Sequence, residues 1–451
     1  MPDLAISGMP VVLAAGREEA LRPLLIQLIV IILAARAGAA VARWLRQPSV
    51  VGEIVAGLVL GPSLFGALAP DWFAAVFGRG AGGMGTALEA SLTSLSQIGL
   101  VLLLFMIGIE FDFSHVHRQG RTAAAVSVAG VVLPFGLGLG LAGLMAPRLE
   151  ALGGTGWIDP RSFALFLGTA MSITAIPILG RILIEMGLQH TALGALVIAA
   201  AACDDAVGWT LLAAVSALAT GNFEPAAIVR MVGATLAFAA AMLFVVRPLL
   251  LPRLERAVAS DGEPRLSLGA LSLVLAVLFA AAWVTSRIGI FAIFGAFLLG
   301  ASLSGVPRVR QAVTRHLSDF VTVFFLPIFF TFTGLRTNVG SLDSPEAWGW
   351  CAAVFAVAVV GKWGGCGLAA RLSGVPAGEA ACVGVLMNTR ALMELIVINV
   401  GMDLGVIPPA VYCMLVFMAV GTTLMATPLA ARLLRRTPHE ATLVARGFLK
   451  R

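Results

Sequence analysis

Charged residues are scarce in this sequence. They make up 12% of its 451 residues, against a hydrophobic share of 59% and a mean hydropathy of +0.98, where soluble domains carry about 25% charge and about 45–50% apolar residues. Such a chain cannot dress a water-facing surface, so a soluble enzyme is excluded and an all-α polytopic membrane protein is indicated. Cysteine is sparse too: Cys203, Cys351, Cys366, Cys382 and Cys413 all fall inside apolar runs, without CxxC or Cys/His spacing. That excludes a disulfide framework and a structural metal site, and no cofactor is expected. Lysine is the rarest cation, with only Lys362 and Lys450 against 28 arginines. The basic residues are scattered through short loops rather than gathered in a stripe with interleaved aromatics, which argues against a nucleic-acid partner despite the net charge of +6. A basic n-region is missing as well, since Asp3, Arg17, Glu18 and Glu19 precede the first long apolar run, so no cleaved signal peptide is expected.

What is present is a series of apolar runs. A spanning helix needs ~20 mainly apolar residues, and on that length the sequence divides into about thirteen spans. They lie near 23–42, 49–68, 92–111, 121–146, 161–186, 191–219, 228–250, 266–285, 289–303, 318–336, 347–370, 379–402 and 408–432. An odd number puts the termini on opposite faces. Nineteen loop and tail Arg and Lys residues then share the face of the C-terminus and seven the other, so the positive-inside rule places the N-terminus outside and the C-terminus in the cytoplasm of a cell (inner) membrane. The expected organisation is an N-terminal segment over 1–22, a transmembrane domain over 23–432 and a basic cytoplasmic tail over 433–451, with no soluble domain after the last span. The polar connection 251–265 divides the spans into halves of about six, which suggests repeats of inverted topology.

Four interruptions of the apolar runs carry the chemistry. Asp204 and Asp205 stand side by side within Ala200–Trp209. A carboxylate at mid-bilayer costs at least ~2.5–3.5 kcal/mol, so its default reading is functional. Adjacent helical residues point about 100° apart, so one should line an ion path while the other meets a neighbouring helix, and charges so close resist double ionisation. In Gly168–Gly180, Pro177 deprives the Ile173 carbonyl of its helical partner, and the Ser172 and Thr174 hydroxyls lie beside it; a broken helix there offers oxygens to a cation. The twelfth span is interrupted by Asn388, Thr389, Arg390 and Glu394, the last two spaced to pair along one face. Interrupted segments at corresponding places in two halves point to a transporter's midplane site. Lys362 is the fourth: unlike Arg it can lose its proton when buried, and it is the natural partner for one of the two acids. The lesser alternative is that Lys362 or Arg230 holds the acids as a fixed structural pair. Gly138–Gly143 fits GxGxxG but lies within a span, so it is expected to be a helix-packing face rather than a dinucleotide site.

Several stretches resemble the monovalent cation:proton antiporter-2 family of bacterial Kef-type, sodium/proton and plant cation/proton exchangers. They are 47–63 (QPSVVGEIVAGLVLGPS), 105–112 (FMIGIEFD), 171–183 (MSITAIPILGRIL), 294–300 (FGAFLLG), 333–338 (TGLRTN) and 386–390 (LMNTR), in family order. The resemblance implies a core with two crossing broken helices, a separate dimerisation domain, elevator-like alternating access and a homodimer. Asp205 matches the family's cation- and proton-binding aspartate, Asp204 the position before it, and Lys362 the lysine that pairs with that acid. Thr174 and Pro177 match the first broken helix and Asn388 to Arg390 the second; Glu53 and Glu394 are taken as supporting carboxylates. Asp at 204 in a plant-like background leaves electroneutral and electrogenic exchange both open. The expected function is exchange of protons for Na+ or K+ in a lipid bilayer, with Asp205 holding the transported ion; the alternatives are a gated monovalent cation channel and a potassium efflux protein of the same architecture.

Overall fold

The computed structural model describes residues 9–45, 47, 49–78, 84–110, 120–149, 152, 158–174, 176–188, 191–219, 225–258, 264–289, 291–390, 392–446 and 448. Among them the chain is helical apart from connections and one isolated bridge, Val258 to Leu266. It opens with α1 (Met9–Trp44), α2 (Ser49–Leu60) and α3 (Met84–Glu110). Then come α4 (Gly120–Met145), α5 (Pro160–Ser172), α6 (Ile176–Met186), α7 (Ala192–Ala219) and α8 (Pro225–Ala241). The second half runs through α9 (Leu268–Ile288), α10 (Ala292–Leu303), α11 (Pro307–Phe320), α12 (Leu326–Arg336) and α13 (Pro345–Val359). It closes with α14 (Gly365–Leu372), α15 (Ala377–Met387), α16 (Leu392–Asp403), α17 (Pro409–Leu433) and α18 (Glu440–Ala445).

Local chemistry sets these boundaries. Asp159 caps α5, its carboxylate accepting from the N–H groups of Ser162 (3.1 Å) and Arg161 (3.3 Å), and Pro160 takes the first helical position. Ser344 and Pro345 repeat the device at α13. Gly289, at φ 96°, ends α9 in a left-handed turn. Wide π-type turns at 242–246 and 321–325 stand just ahead of Pro248 and Pro327, which disturb the hydrogen-bond ladder. A carbonyl in the second, that of Thr322, takes a 2.9 Å bond from intramembrane Arg36. The third wide turn, 360–364, has no proline and carries Lys362.

Among the described residues, ten helical stretches are long and apolar enough to cross a membrane. The other three of the about thirteen expected segments are shorter or broken helices, and both breaks were expected from the sequence. The segments expected at 161–186 and 379–402 are each split into two half-helices, and that at 289–303 is a 12-residue helix starting after the Gly289 turn. The split has a backbone cause: Ile173 is extended (φ −85°, ψ 146°), and α15 ends at Met387 before the chain resumes at Leu392.

The helices fall into two packing groups. A frame is built by α1, α2, α3, α9, α10 and α12, packed chiefly on one another. Glycines bring its backbones together: a methyl on Gly57 would strike Thr331 (2.7 Å), one on Gly334 the Gly57 backbone, and one on Gly300 the Phe105 carbonyl. The second group joins α4, the split pair α5–α6, and α7 to α13, α14, the split pair α15–α16, and α17. Each half of the chain therefore contributes a long helix, a split helix and a long helix to it. Gly138 packs against the Gly168 Cα, whereas Gly140 and Gly143 have open space around them, so only the first glycine of the 138–143 motif serves close packing.

Candidate functional site

The second group converges on the two helix breaks. Asp204 and Asp205 sit mid-way along α7, at 0% and 2% exposure. Lys362 reaches Asp204 Oδ2 at 2.6 Å, the Gly130 carbonyl at 2.8 Å, and the Ser172 carbonyl. An ammonium has three donors, so Lys362 is fully engaged. Thr174 Oγ1 lies 2.8 Å from Asp204 Oδ2 and 3.0 Å from the Met387 carbonyl; its single proton serves one of them at a time and ties the first break to the second.

Arg390 completes the crossing. Its guanidinium donates to the Ala170 (2.9 Å) and Met171 carbonyls, while its own backbone N–H donates to Thr423 Oγ1 at 3.1 Å. The last turn of α5 thus presents three consecutive carbonyls, 170 to 172, to two buried cations. That arrangement satisfies the helix's orphan acceptors and opposes the negative end of its dipole. Glu394 lies 3.7 Å from Arg390 on the same face of the second break. Asn388 Oδ1 accepts from Arg390 Nε at 3.4 Å, and Thr389 Oγ1 turns back to the Leu386 carbonyl at 2.8 Å.

Asp205 differs from its neighbour. Among the described residues its side chain has no hydrogen bond or ion pair, and Oδ1 of both aspartates is buried without a partner. Buried polar atoms are ordinarily satisfied, so these oxygens are open to a proton or a hard cation. Among the described residues no cluster of three or more His, Cys, Asp or Glu is placed to hold a resident metal.

Ser172 meets the cluster through its carbonyl, its hydroxyl donating to the Thr169 carbonyl at 2.8 Å within its own helix. Ile173 forms the extended link, and Pro177 stands in the first turn of α6, where a missing N–H is tolerated. Glu53 is buried in α2, in the frame rather than among the cluster's helices. Arg230 is exposed on α8, and the ion pair to Asp204 is made by Lys362. Two glycines were not singled out by sequence: a methyl on Gly130 would meet Cys366 Sγ (2.5 Å) and approach Lys362 Nζ (3.6 Å), and one on Gly208 would strike Ile173 (2.9 Å). Their only signal is glycine inside an apolar helix, one turn from Asp204 in the case of Gly208.

The sequence and the fold are both shared with known proteins. The family described as "Sodium/hydrogen exchanger, transmembrane" matches residues 29–436. The Na(+)/H(+) antiporter NhaS4 of Synechocystis sp. is 37% identical over 87% of this chain and 93% of its own length. Cation/H(+) antiporter 17 of Arabidopsis thaliana is 36% identical over 91% of the chain, and K(+)/H(+) antiporter 1 of Saccharomyces cerevisiae is 30% identical over 85%. The chain spans about half the length of these two relatives, 48% and 43%. In fold it is similar to the sodium proton antiporter MjNhaP1 of Methanocaldococcus jannaschii, with a TM-score of 0.63 at 14% identity over 95% of this chain and 100% of that one. On the match over 29–436, the chain belongs to the sodium/hydrogen exchanger family of membrane cation/proton antiporters.

Proposed function

We propose that this chain is a secondary active transporter that exchanges protons for Na+ or K+, with Asp205 carrying either the cation or the proton. One observation carries the reading: Asp204 is held by an ammonium and a hydroxyl, whereas Asp205 beside it is buried, its Oδ1 without a hydrogen-bond partner among the described residues. A cation arriving at Asp205 finds the free Oδ1 of Asp204 and the Thr174 hydroxyl close by, oxygen donors that suit a hard ion. As it draws on Asp204, the bond from Lys362 weakens. Restoring that bond and returning a proton to Asp205 expels the cation. If two protons leave per cation, net charge moves and the cycle responds to voltage by ~2.3 kcal/mol per charge per 100 mV.

Access alternates as the group bearing the site shifts against the frame. In support, every residue of the Asp204–Lys362–Arg390 cluster lies in that group. Relatives named as Na(+)/H(+) and K(+)/H(+) antiporters support either cation as the substrate. We read the protein as a homodimer of the cell (inner) membrane with its N-terminus outside.

The test is purified protein in liposomes with a pH-sensitive dye, pulsed with Na+, K+ or Li+. Wild type should dissipate the proton gradient and Asp205→Asn should not. An Asp205→Asn variant working at the wild-type rate removes Asp205 from the role. Cation flux without proton movement would identify a channel instead.

A further inference from the structure

A polar ladder crosses the seam between the two helix groups, along α16 and away from the break. Arg336, the last residue of α12, reaches Asp403 and donates to Asn399 Oδ1 at 3.2 Å. Asn399 Nδ2 donates to Thr333 Oγ1 at 3.2 Å, and the Tyr412 hydroxyl lies 3.1 Å from Asn399 Oδ1 and 3.3 Å from the Thr333 carbonyl. Thr333 and Arg336 belong to the frame; Asn399, Asp403 and Tyr412 belong to the group that bears the ion site. Tyr412 is the chain's single tyrosine and is fully buried.

The ladder runs from wet to dry. The Asp403 side chain is 52% exposed and the Arg336 side chain 22%, and both line a cleft together with Ser96, Gln97, Phe332 and Asn399. Tyr412 closes the dry end. Hydrogen bonds fail within about an ångström of stretch, and a polar network buried between apolar surfaces fixes one register of the surfaces it joins. Any slide of the groups by even one helical turn, about 5.4 Å, must break every rung.

We propose that Arg336, Asn399, Asp403, Thr333 and Tyr412 form a releasable clasp that holds one end-state of the transport cycle and opens once per turnover. This rests on the alternating-access reading. Asp403 and Asn399 ride on the half-helix that begins at the second break, α16, so the clasp grips the same rigid element that carries Glu394.

The experiment cross-links the clasp. An Arg336→Cys/Asp403→Cys variant is reconstituted and its exchange measured before and after a short bis-maleimide, with wild type given the same reagent to account for the native cysteines. The expected result is at least a tenfold fall in exchange by the cross-linked variant, with wild type unaffected. A cross-linked variant exchanging at its uncross-linked rate overturns the clasp. Tyr412→Phe supplies a second reading in case the cysteine variant fails to fold. Loss of one hydroxyl should change the turnover rate and the half-saturating cation concentration by about threefold or more, with the melting temperature held; unchanged kinetics would also overturn the proposal. Wild type that exchanges no ion defeats the underlying reading instead, which keeps the two failures apart.

Discussion

Lys362 Nζ stands 2.6 Å from Asp204 Oδ2 while its other two donors are spent on carbonyls of α4 and α5. The lysine is therefore both the counter-charge of an acid and a pin through three helices, and these two duties separate under mutation.

Removing the charge should expose the first duty. Lys362→Gln leaves Asp204 buried without a counter-ion, a change that costs roughly 3–5 kcal/mol. Adding Asp204→Asn should return most of that loss while leaving exchange impaired. Thermal unfolding of the two single variants and the double variant in detergent completes the cycle; a double variant no more stable than Lys362→Gln would show that the pair is not the source of the loss.

The guanidinium of Arg390 caps two carbonyls at once, which an ammonium cannot reproduce in the same plane. Arg390→Lys should lower stability by about 2 kcal/mol, from the loss of a charge-assisted bond worth about 1.5–3 kcal/mol, and should cut exchange severely. Equal melting temperatures for this variant and wild type would mean that the α5 carbonyls are satisfied some other way.

Thr174 is the direct link between the two breaks. Thr174→Val keeps the shape and removes the hydroxyl, so exchange should fall about tenfold, roughly what losing one buried hydrogen bond of ~1.4 kcal/mol predicts. Thr174→Ser should stay close to wild type. The dye assay reads both, and a Val variant at full rate would exclude the hydroxyl from the cycle.

Asp159 caps α5 from outside the spans. The Ser162 hydroxyl at 2.7 Å, with the N–H groups of Ser162 and Arg161, holds its carboxyl below the usual carboxylate range. The folded state favours the ionised form, so the cap's contribution is present above the ordinary pKa of about 3.9 and is lost as pH falls through the lowered folded value. Asp159→Ala should cost about 1 kcal/mol at neutral pH. Melting curves should show that difference constant from about pH 6 to 8 and shrinking at strongly acid pH; a difference that grows on acidification would contradict the cap.

Much of the site was legible in the sequence because charge inside an apolar run is conspicuous. Asp204, Asp205, Lys362 and Arg390 announce themselves by cost alone, and Pro177 and Asn388 mark the interruptions. The breaks were therefore legible, but the residues at which the half-helices end, Ser172 and Met387, carried no local signal of their own. Contacts between distant segments left no local trace. Thr333 and Tyr412 look like ordinary members of apolar helices, and nothing near Ser172 tells that its carbonyl, rather than its hydroxyl, meets the lysine. The place of Glu53 was hidden for the same reason, as an acid in an apolar run looks alike whether it belongs to the frame or to the ion site.

The glycine crossings of the frame have a mechanical consequence. Where Gly57 meets Gly334 and Gly108 meets Gly300, not even a methyl fits, so those helices have almost no slack and behave as one stiff plate. Among the described residues, the chain passes from that plate to the site-bearing group across 336–345. Elastic compliance is thereby left to the joins between plate and site-bearing group, and the described one begins at Arg336.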